Sequence, residues 1–298
     1  MSAQRTGTDR AAGEHPAVND DVTVVITCFN YGAFLAESVQ SVLSQDGGEP
    51  RVIVVDDGST DERTLAELEW LPPRVELVRQ ANAGLSAARN AGLSRAQTPF
   101  LLALDADDKL ADGALAAMRK VLLQETGVGY SYGAIRFFGE WEGIIRMPAY
   151  DPYRLLFRHI VGPTALMRRE LFEDVGGYDR AFRGFEDWEF WLHALACGWR
   201  GKRVDAVTHL YRRHGQTMFH GARANYRAIF CQLRRKHAAL YVRAGRRRLA
   251  ADSDLGVAGR FAYRWWWGMR PLPARAELAL QSLLWRQRAG TGSRTTAL

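Results

Sequence analysis

The sequence predicts an α/β fold, a mainly parallel sheet with helices on both faces, followed by a C-terminal helical extension. Short β-branched and apolar runs alternate with segments of helical periodicity from residue 22 to about residue 123, and three of those runs end in polar or acidic turns. Parallel strands need long crossovers and are buried on both faces, so they read as apolar runs separated by helices. The extension is set off by charge: residues 221–298 hold 16 Lys+Arg against 3 Asp+Glu, whereas residues 1–220 hold 24 against 30. A slightly acidic body therefore precedes a strongly basic tail, and the two face different partners.

Residues 1–21 are mostly small, polar or charged and read as a disordered leader without the apolar stretch of a signal peptide. Residues 22–27 (Val-Thr-Val-Val-Ile-Thr) make the first strand, closed by a polar turn at residues 30–32. Phe34, Leu35, Val39, Val42 and Leu43 then recur at helical spacing. Residues 51–55 make a second strand, ending in Asp56, Asp57, Gly58, Ser59 and Thr60, residues suited to a turn and a helix N-cap. Leu65, Leu68 and Trp70 mark the next helix, residues 75–78 a third strand and residues 85–94 another helix. A fourth strand at residues 100–104 (Phe-Leu-Leu-Ala-Leu) runs directly into Asp105, Asp107 and Asp108, ahead of a helix over residues 110–123.

Beyond residue 148 the alternation loosens. Helical pieces are expected near residues 153–159, 169–175 and 187–197, with a strand at residues 203–211, and together they build the other wall of a site. Residues 222–248 read as helical and basic, and residues 258–288 as one or two helices rich in Arg, Trp and Leu. Cys28, Cys197 and Cys231 are odd in number and in no metal-type spacing, which argues against a disulfide framework or a zinc site and for a reducing cytoplasm. Without an apolar run of roughly 18 residues, no transmembrane helix is expected.

The chemistry concentrates at the ends of strands, where ligands of such sheets bind. Asp105, Asp107 and Asp108 crowd three carboxylates into four residues. Their repulsion calls for a counter-charge, and Mn²⁺ or Mg²⁺ with oxygen ligands and substrate phosphates would supply it; an acidic helix cap by Asp108 or Asp112 is the competing account. Asp57 suits a hydrogen bond from a nucleobase N–H, or an ordinary Asx turn, and Gly58 allows close backbone approach. Phe29 suits stacking on a base, or a place in the core.

Four segments carry a resemblance. Thr27-Cys28-Phe29-Asn30-Tyr31, Val54-Val55-Asp56-Asp57-Gly58-Ser59-Thr60-Asp61, the Asn82 to Gly92 stretch Asn-Ala-Gly-Leu-Ser-Ala-Ala-Arg-Asn-Ala-Gly, and Leu104-Asp105-Ala106-Asp107-Asp108 occur in the order and spacing of the glycosyltransferase family 2 domain. The resemblance spans about residues 22–214 and implies the GT-A fold, with the catalytic domain at residues 22–220. It also implies a nucleotide-diphosphate-sugar donor, a sugar transfer to an acceptor hydroxyl with inversion, and Mn²⁺ or Mg²⁺ as cofactor. By that resemblance Thr27, Phe29, Asn30, Asp57, Arg89 and Asp105 bind the donor, with Asp105, Asp107, Asp108 and His214 at the metal. Read alone, Arg89 is an ordinary surface arginine and His214 a plain polar residue.

Gly184-Phe185-Glu186-Asp187-Trp188 is similar to the family's Glu-Asp motif, which makes Glu186 and Asp187 the catalytic pair and Asp187 the general base. An acceptor hydroxyl must lose its proton as it attacks, and a positioned carboxylate takes it. A simple preference for acidic residues at a helix start competes with that role. Tyr211 to Met218 resembles the segment that closes the domain, with His214 at the metal and a nearby hydroxyl at the phosphates. One departure stands out: Thr27 occupies a position where the family commonly has proline, and Thr still donates and accepts hydrogen bonds.

The tail interleaves Arg260, Arg264, Arg270, Arg275, Arg286 and Arg288 with Phe261, Tyr263, Trp265, Trp266, Trp267 and Trp285. Such a mixture suits the surface of an anionic membrane, peripheral on its inner face and near a lipid-linked or carbohydrate acceptor; packing of the tryptophans on the body or on a second subunit fits equally. No nucleic-acid module accompanies the charge, so a nucleic-acid partner is not expected. The resemblance and the composition together point to polysaccharide or glycolipid synthesis, against the alternative of a non-catalytic scaffold that keeps the fold and binds membrane or partner proteins through its tail.

Overall fold

The computed structural model describes residues 20–215 and 225–268. Strands β1 (Val22–Cys28), β2 (Arg51–Asp56), β3 (Val75–Arg79) and β4 (Phe100–Asp105) pair in parallel in the order β3-β2-β1-β4. The crossovers are α1 (Gly32–Leu43), α2 (Glu62–Glu69) and α3 (Leu85–Leu93). Successive strand residues face opposite ways. Val24, Ile26, Val52, Val54, Leu102 and Leu104 pack with Leu35, Val39 and Val42 of α1, while Val25, Ile53, Val55, Leu101 and Ala103 pack with Ala88 and Leu93 of α3. Both faces are covered, which is why these runs carry so few polar residues. From β1 the chain winds outward to β2 and β3 and then returns to β4 on the other side, and that reversal opens a crevice at the carboxyl ends of β1 and β4.

Beyond β4 the sheet is mixed rather than parallel. The chain continues through β5 (Lys109–Leu110), α4 (Ala114–Gln124), β6 (Tyr130–Gly139), β7 (Gly143–Ile145), α5 (Pro152–Leu155), β8 (Leu166–Arg168), α6 (Arg169–Val175), α7 (Glu186–Ala196) and β9 (Gly201–Arg213). The sheet extends from β4 in the order β8-β6-β9-β5, with β7 on β6. Strand β8 is antiparallel to both β4 and β6, β9 is parallel to β6, and β5 is antiparallel to β9.

Several expectations are corrected by partners distant in sequence. The helix read from residue 110 begins at Ala114, because Lys109 and Leu110 pair with Leu210 and His209 of β9. The pairing of β6 with β9 shifts register around Gly133, where a Cβ would lie 2.5 Å from the Ala206 carbonyl oxygen and the Thr208 methyl. The helix read over residues 153–159 stops at Leu155. Trp70, read as an inward position, is 84% exposed, and α2 packs instead through Thr64 and Leu68.

Helices α8 (Tyr226–Lys236), α9 (Ala238–Tyr241), α10 (Arg243–Ala251) and α11 (Val257–Gly268) form the described part of the extension. Ile229, Phe230, Leu233, Leu240, Tyr241 and Leu249 share one hydrophobic cluster with Trp188, Phe190 and Trp191 of α7. Phe230 and Tyr226 stack on Trp188 at 5.6 and 6.2 Å. Glu189 of α7 is fully buried, and its Oε1 takes Nζ of Lys236 at 2.8 Å and Nε2 of His237 at 2.9 Å. The extension thus forms the back of α7. Among the described residues no helix is long and apolar enough to cross a membrane, and the three cysteines are free. The expected leader, apart from residues 20 and 21, and the tail beyond residue 268, with Arg270, Arg275, Trp285, Arg286 and Arg288, lie outside the described residues.

Removing one partner of a buried ion pair strands the other charge. Glu189→Ala is expected to lower stability by about 3 kcal/mol, the low end of that class because Lys236 keeps some solvent contact. The measurement is a urea midpoint with the slope held constant; a loss below about 0.5 kcal/mol would mean that the pair adds nothing net.

Candidate active site

The crevice between β1 and β4 is built by register. Thr27 lies opposite Asp105 and Cys28 opposite Asp56, and the buried Thr27 hydroxyl donates to Asp105 Oδ1 at 3.2 Å. Burial pushes the Cys28 thiol up to about 11, so it stays a protonated, inert core residue. Asp57 is buried as well: its Oδ1 accepts from Gln80 Nε2 at 2.6 Å and the Ala83 amide at 2.9 Å, and its Oδ2 from the Gly84 amide at 2.8 Å. The Asp57 carboxylate therefore pins the loop before α3 to the end of β2, and Oδ2 retains one acceptor direction. At φ 77° and with the Asn82 amide 2.7 Å from where a Cβ would be, position 58 takes only glycine.

Asn30 adopts a left-handed φ of 58°. Its Oδ1 accepts from the amides of Thr60 and Asp61 at 2.8 and 3.2 Å, and its own amide donates to Ser59 Oγ at 3.0 Å. Its observed role is to lock the turn after β1 to the turn after β2. Phe29, between these turns, is 42% exposed, so the core reading does not hold for it and its ring meets solvent at the rim.

Arg89 is no surface arginine. Its side chain is 2% exposed and bridges two carboxylates: Nη2 meets both oxygens of Asp105 at 2.9 and 3.1 Å, and Nη1 meets Glu186 Oε1 at 3.0 Å. The guanidinium also lies 5.3 Å over the ring of Tyr178. Burial works against its charge, and Asp105 and Glu186 more than offset it, so Arg89 remains a cation. The next residue, Asn90, holds the Tyr178 backbone at both N–H and C=O, at 2.7 and 2.8 Å. Helix α3 is thereby fastened to the segment leading to α7.

The three aspartates of the acidic turn have three different surroundings. Asp105 faces Arg89 and Thr27. Asp108 is buried, with Oδ2 against His209 Nε2 and Oδ1 accepting the Arg212 amide, both at 2.8 Å, so each oxygen braces the turn against β9. Asp107, 19% exposed, meets His214 Nε2 through Oδ2 at 3.0 Å. Burial, then the neighbouring Asp108 and Asp105, push the Asp107 carboxyl up to about 6. His214 lies against Phe34 and Tyr31 at 4.7 and 5.5 Å, joining the end of β9 to the start of α1. Among the described residues no group of three or more His, Cys, Asp and Glu side chains is arranged to hold a metal.

Helix α7 opens on a strained turn, with Gly184 at φ 99° and Phe185 at φ 55°. Glu186 and Asp187 follow in the first helical turn, both buried. Asp187 Oδ1 accepts the Trp188 amide at 2.8 Å, and Oδ2 lies 3.2 Å from His159 Nε2. Burial raises the Glu186 carboxyl despite Arg89. For Asp187 burial raises too, but the His159 ring and Arg89 more than cancel it and leave the carboxyl below its usual range.

The structure joins Thr27, Asp105, Arg89 and Glu186 by direct contacts, with Asp187 next in sequence, and pairs Asp107 with His214. Asp57, Asn30 and Phe29 form the neighbouring edge. Sequence reading missed His159, His209 and Tyr178, which sit in no recognisable motif, and gave no role to Arg212 within the closing segment; each owes its place to a contact at least 28 residues away. Thr217 and the rest of the closing segment beyond Gly215 lie outside the described residues.

Known proteins resemble this chain. Succinoglycan biosynthesis protein ExoO of Rhizobium meliloti is 30% identical over 308 residues, which span 95% of this chain and 83% of ExoO. A PGL/p-HBAD biosynthesis glycosyltransferase of Mycobacterium bovis is 31% identical over 177 residues, 56% of this chain and 67% of its own length. Among solved structures, S. aureus TarS 1-349 in complex with UDP-GlcNAc superposes with a TM-score of 0.62 at 19% identity, over 81% of this chain and 70% of that one. That likeness bears on the fold, and it is the GT-A fold expected from the motifs. Residues 23–185 match the family described as Glycosyl transferase family 2, and the chain belongs to that family of glycosyltransferases.

Proposed function

We propose that this glycosyltransferase moves a sugar from a nucleotide-diphosphate-sugar to an acceptor hydroxyl with inversion, in the synthesis of a polysaccharide or glycolipid. The observation that carries the reading is the Arg89 bridge: one buried cation ties Asp105, at the crevice where donor phosphates belong, to Glu186, beside the base candidate Asp187. The nucleotide-sugar donor is supported by the TarS complex with UDP-GlcNAc, and the class of acceptor by the names of the relatives. In this reading Phe29 packs on the nucleobase, the open acceptor direction of Asp57 takes a base N–H, Thr27 and Arg89 orient Asp105 toward the donor, and Asn30 shapes the rim. Asp187 accepts the acceptor proton while the hydroxyl oxygen attacks the anomeric carbon and the diphosphate departs with the bonding pair.

A divalent cation fits at Asp107 and His214. Burial and then the neighbouring Asp108 and Asp105 make charge on Asp107 costly, and a carboxylate oxygen with an imidazole nitrogen suits Mn²⁺ or Mg²⁺. Asp105 and Asp108, which the motif also offers, already use both oxygens on protein donors, so substrate phosphates and water would complete the shell. A cation bound there offsets charge on the departing diphosphate. The peripheral membrane setting is supported by α11, where Val257, Phe261 and Trp265 are exposed at helical spacing alongside Arg264.

A thermal-shift series over UDP-, GDP- and dTDP-sugars with Mn²⁺ is expected to find at least one stabilising donor; none would remove the donor reading. With that donor, Asp187→Asn is expected to lower turnover by about 100-fold to 10,000-fold while nucleotide affinity holds, and unchanged turnover would take the base role from Asp187. Asp107→Asn is expected to abolish the difference between nucleotide affinity with and without Mn²⁺ in calorimetry; a persisting difference puts the cation elsewhere. Flotation with phosphatidylglycerol vesicles is expected to recover the protein and Phe261→Glu to reduce recovery, and equal recovery on neutral vesicles would count against an electrostatic membrane surface.

A further inference from the structure

Asp187 is buried, so a proton placed on it has to leave before the next turnover. Its Oδ1 is occupied by the Trp188 amide, and its Oδ2 faces a single described neighbour, Nε2 of His159, at 3.2 Å. That nitrogen is itself buried, while the His159 side chain as a whole is 22% exposed. The exposed part of the ring therefore lies away from Nε2. The ring is held for this: Trp188 lies nearly parallel to it at 6.3 Å and Phe185 meets it edge-on at 6.2 Å. Phe185 is the residue with the strained left-handed backbone, so the same turn that delivers Asp187 also walls in the imidazole.

We propose that His159 is the proton exit of the site: it receives the acceptor proton from Asp187 on Nε2 and releases one from Nδ1 to solvent. The inference rests on Asp187 being the base and adds the residue through which that base is reset. In the tautomer protonated on Nδ1, Nε2 presents a lone pair toward Oδ2, so a proton arriving on Asp187 has an acceptor 3.2 Å away. When the acceptor O–H breaks, its proton goes to Asp187, the oxygen bonds to the anomeric carbon, and the carbon–oxygen bond to the diphosphate breaks with its electron pair on the diphosphate. The Asp187 O–H then breaks as an N–H forms at Nε2, and the Nδ1 proton passes to water. The net products are the glycoside, the nucleoside diphosphate and one proton. A charged His159 favours the ionised form of Asp187, which drives the second step forward. His159 acts through Asp187 and is a positioning and relay residue, without contact to the sugar.

The test uses the full chain, the donor selected by thermal shift, and release of nucleoside diphosphate with Mn²⁺ as the rate. His159→Ala is expected to lose roughly 10-fold or more in kcat with the donor Kd unchanged, and free imidazole added at fixed pH is expected to restore part of that rate. Asp187→Asn run alongside is expected to gain nothing from imidazole. A His159→Ala enzyme within about twofold of the parent rate, or a folded one whose loss imidazole does not relieve, overturns the relay. If the alanine variant does not fold, His159→Asn serves in its place, and turnover at the parent rate there overturns the relay as well. An inactive Asp187→Asn with a fully active His159 variant rejects the relay alone, whereas a fully active Asp187→Asn rejects the base reading beneath it.

Discussion

The site depends on one buried guanidinium. Arg89 holds Asp105, 16 residues away, together with Glu186, 97 residues away, and neither carboxylate has another cation in direct contact among the described residues. A buried charge of this kind is tolerated only when it is paired and hydrogen-bonded, and removal of any member leaves the others uncompensated. The bridge therefore couples two parts of the fold with unrelated origins. Asp105 ends a strand of the parallel half, and Glu186 begins a helix of the irregular half. Asn90, one residue on, repeats the coupling through the backbone of Tyr178, so the relation between crevice and α7 is set by α3 twice.

On its other side α7 leans on the extension. Trp188 is stacked between the ring of His159 and the rings of Tyr226 and Phe230, and Glu189 is neutralised from Lys236 and His237. Glu186 and Asp187 thus face the site from the same turn whose following residues anchor the tail. The basic extension, distinct in composition, is part of the wall of the site in its packing, and α11 is where its apolar residues again reach solvent.

The acidic turn shows how three like charges in four residues are kept apart in role. Asp105 is neutralised by Arg89, Asp108 is spent on His209 and the Arg212 amide, and Asp107 alone remains with a partly exposed imidazole and a carboxyl raised by burial and by its neighbours. Arg212 reinforces the arrangement, reaching Glu37 of α1 at 3.0 Å and lying over the rings of Phe34 and Phe138. Strand β9 therefore does for the acidic turn what α3 does for Glu186.

What could be read from sequence is what local chemistry dictates. The β-branched or apolar runs at residues 22–27, 51–55 and 100–104 announced buried parallel strands because both of their faces are covered, and the motifs at their ends were placed in one crevice by the rule that ligands meet such sheets at the carboxyl edge. The family followed from four of those motifs standing in order. Tertiary structure decided what depends on partners far along the chain. It showed that Arg89, which read alone is an ordinary surface arginine, is buried at the centre, turned Leu110 from helix to strand once β9 lay beside it, and sorted Asp107 from Asp108 by their surroundings. His159 shows the limit most clearly: nothing around it in sequence marks it, and only the fold brings it to 3.2 Å from Asp187. Periodicity and turn chemistry are written within a few residues, whereas the neutralisation of a buried charge is settled by whichever side chain the fold brings near.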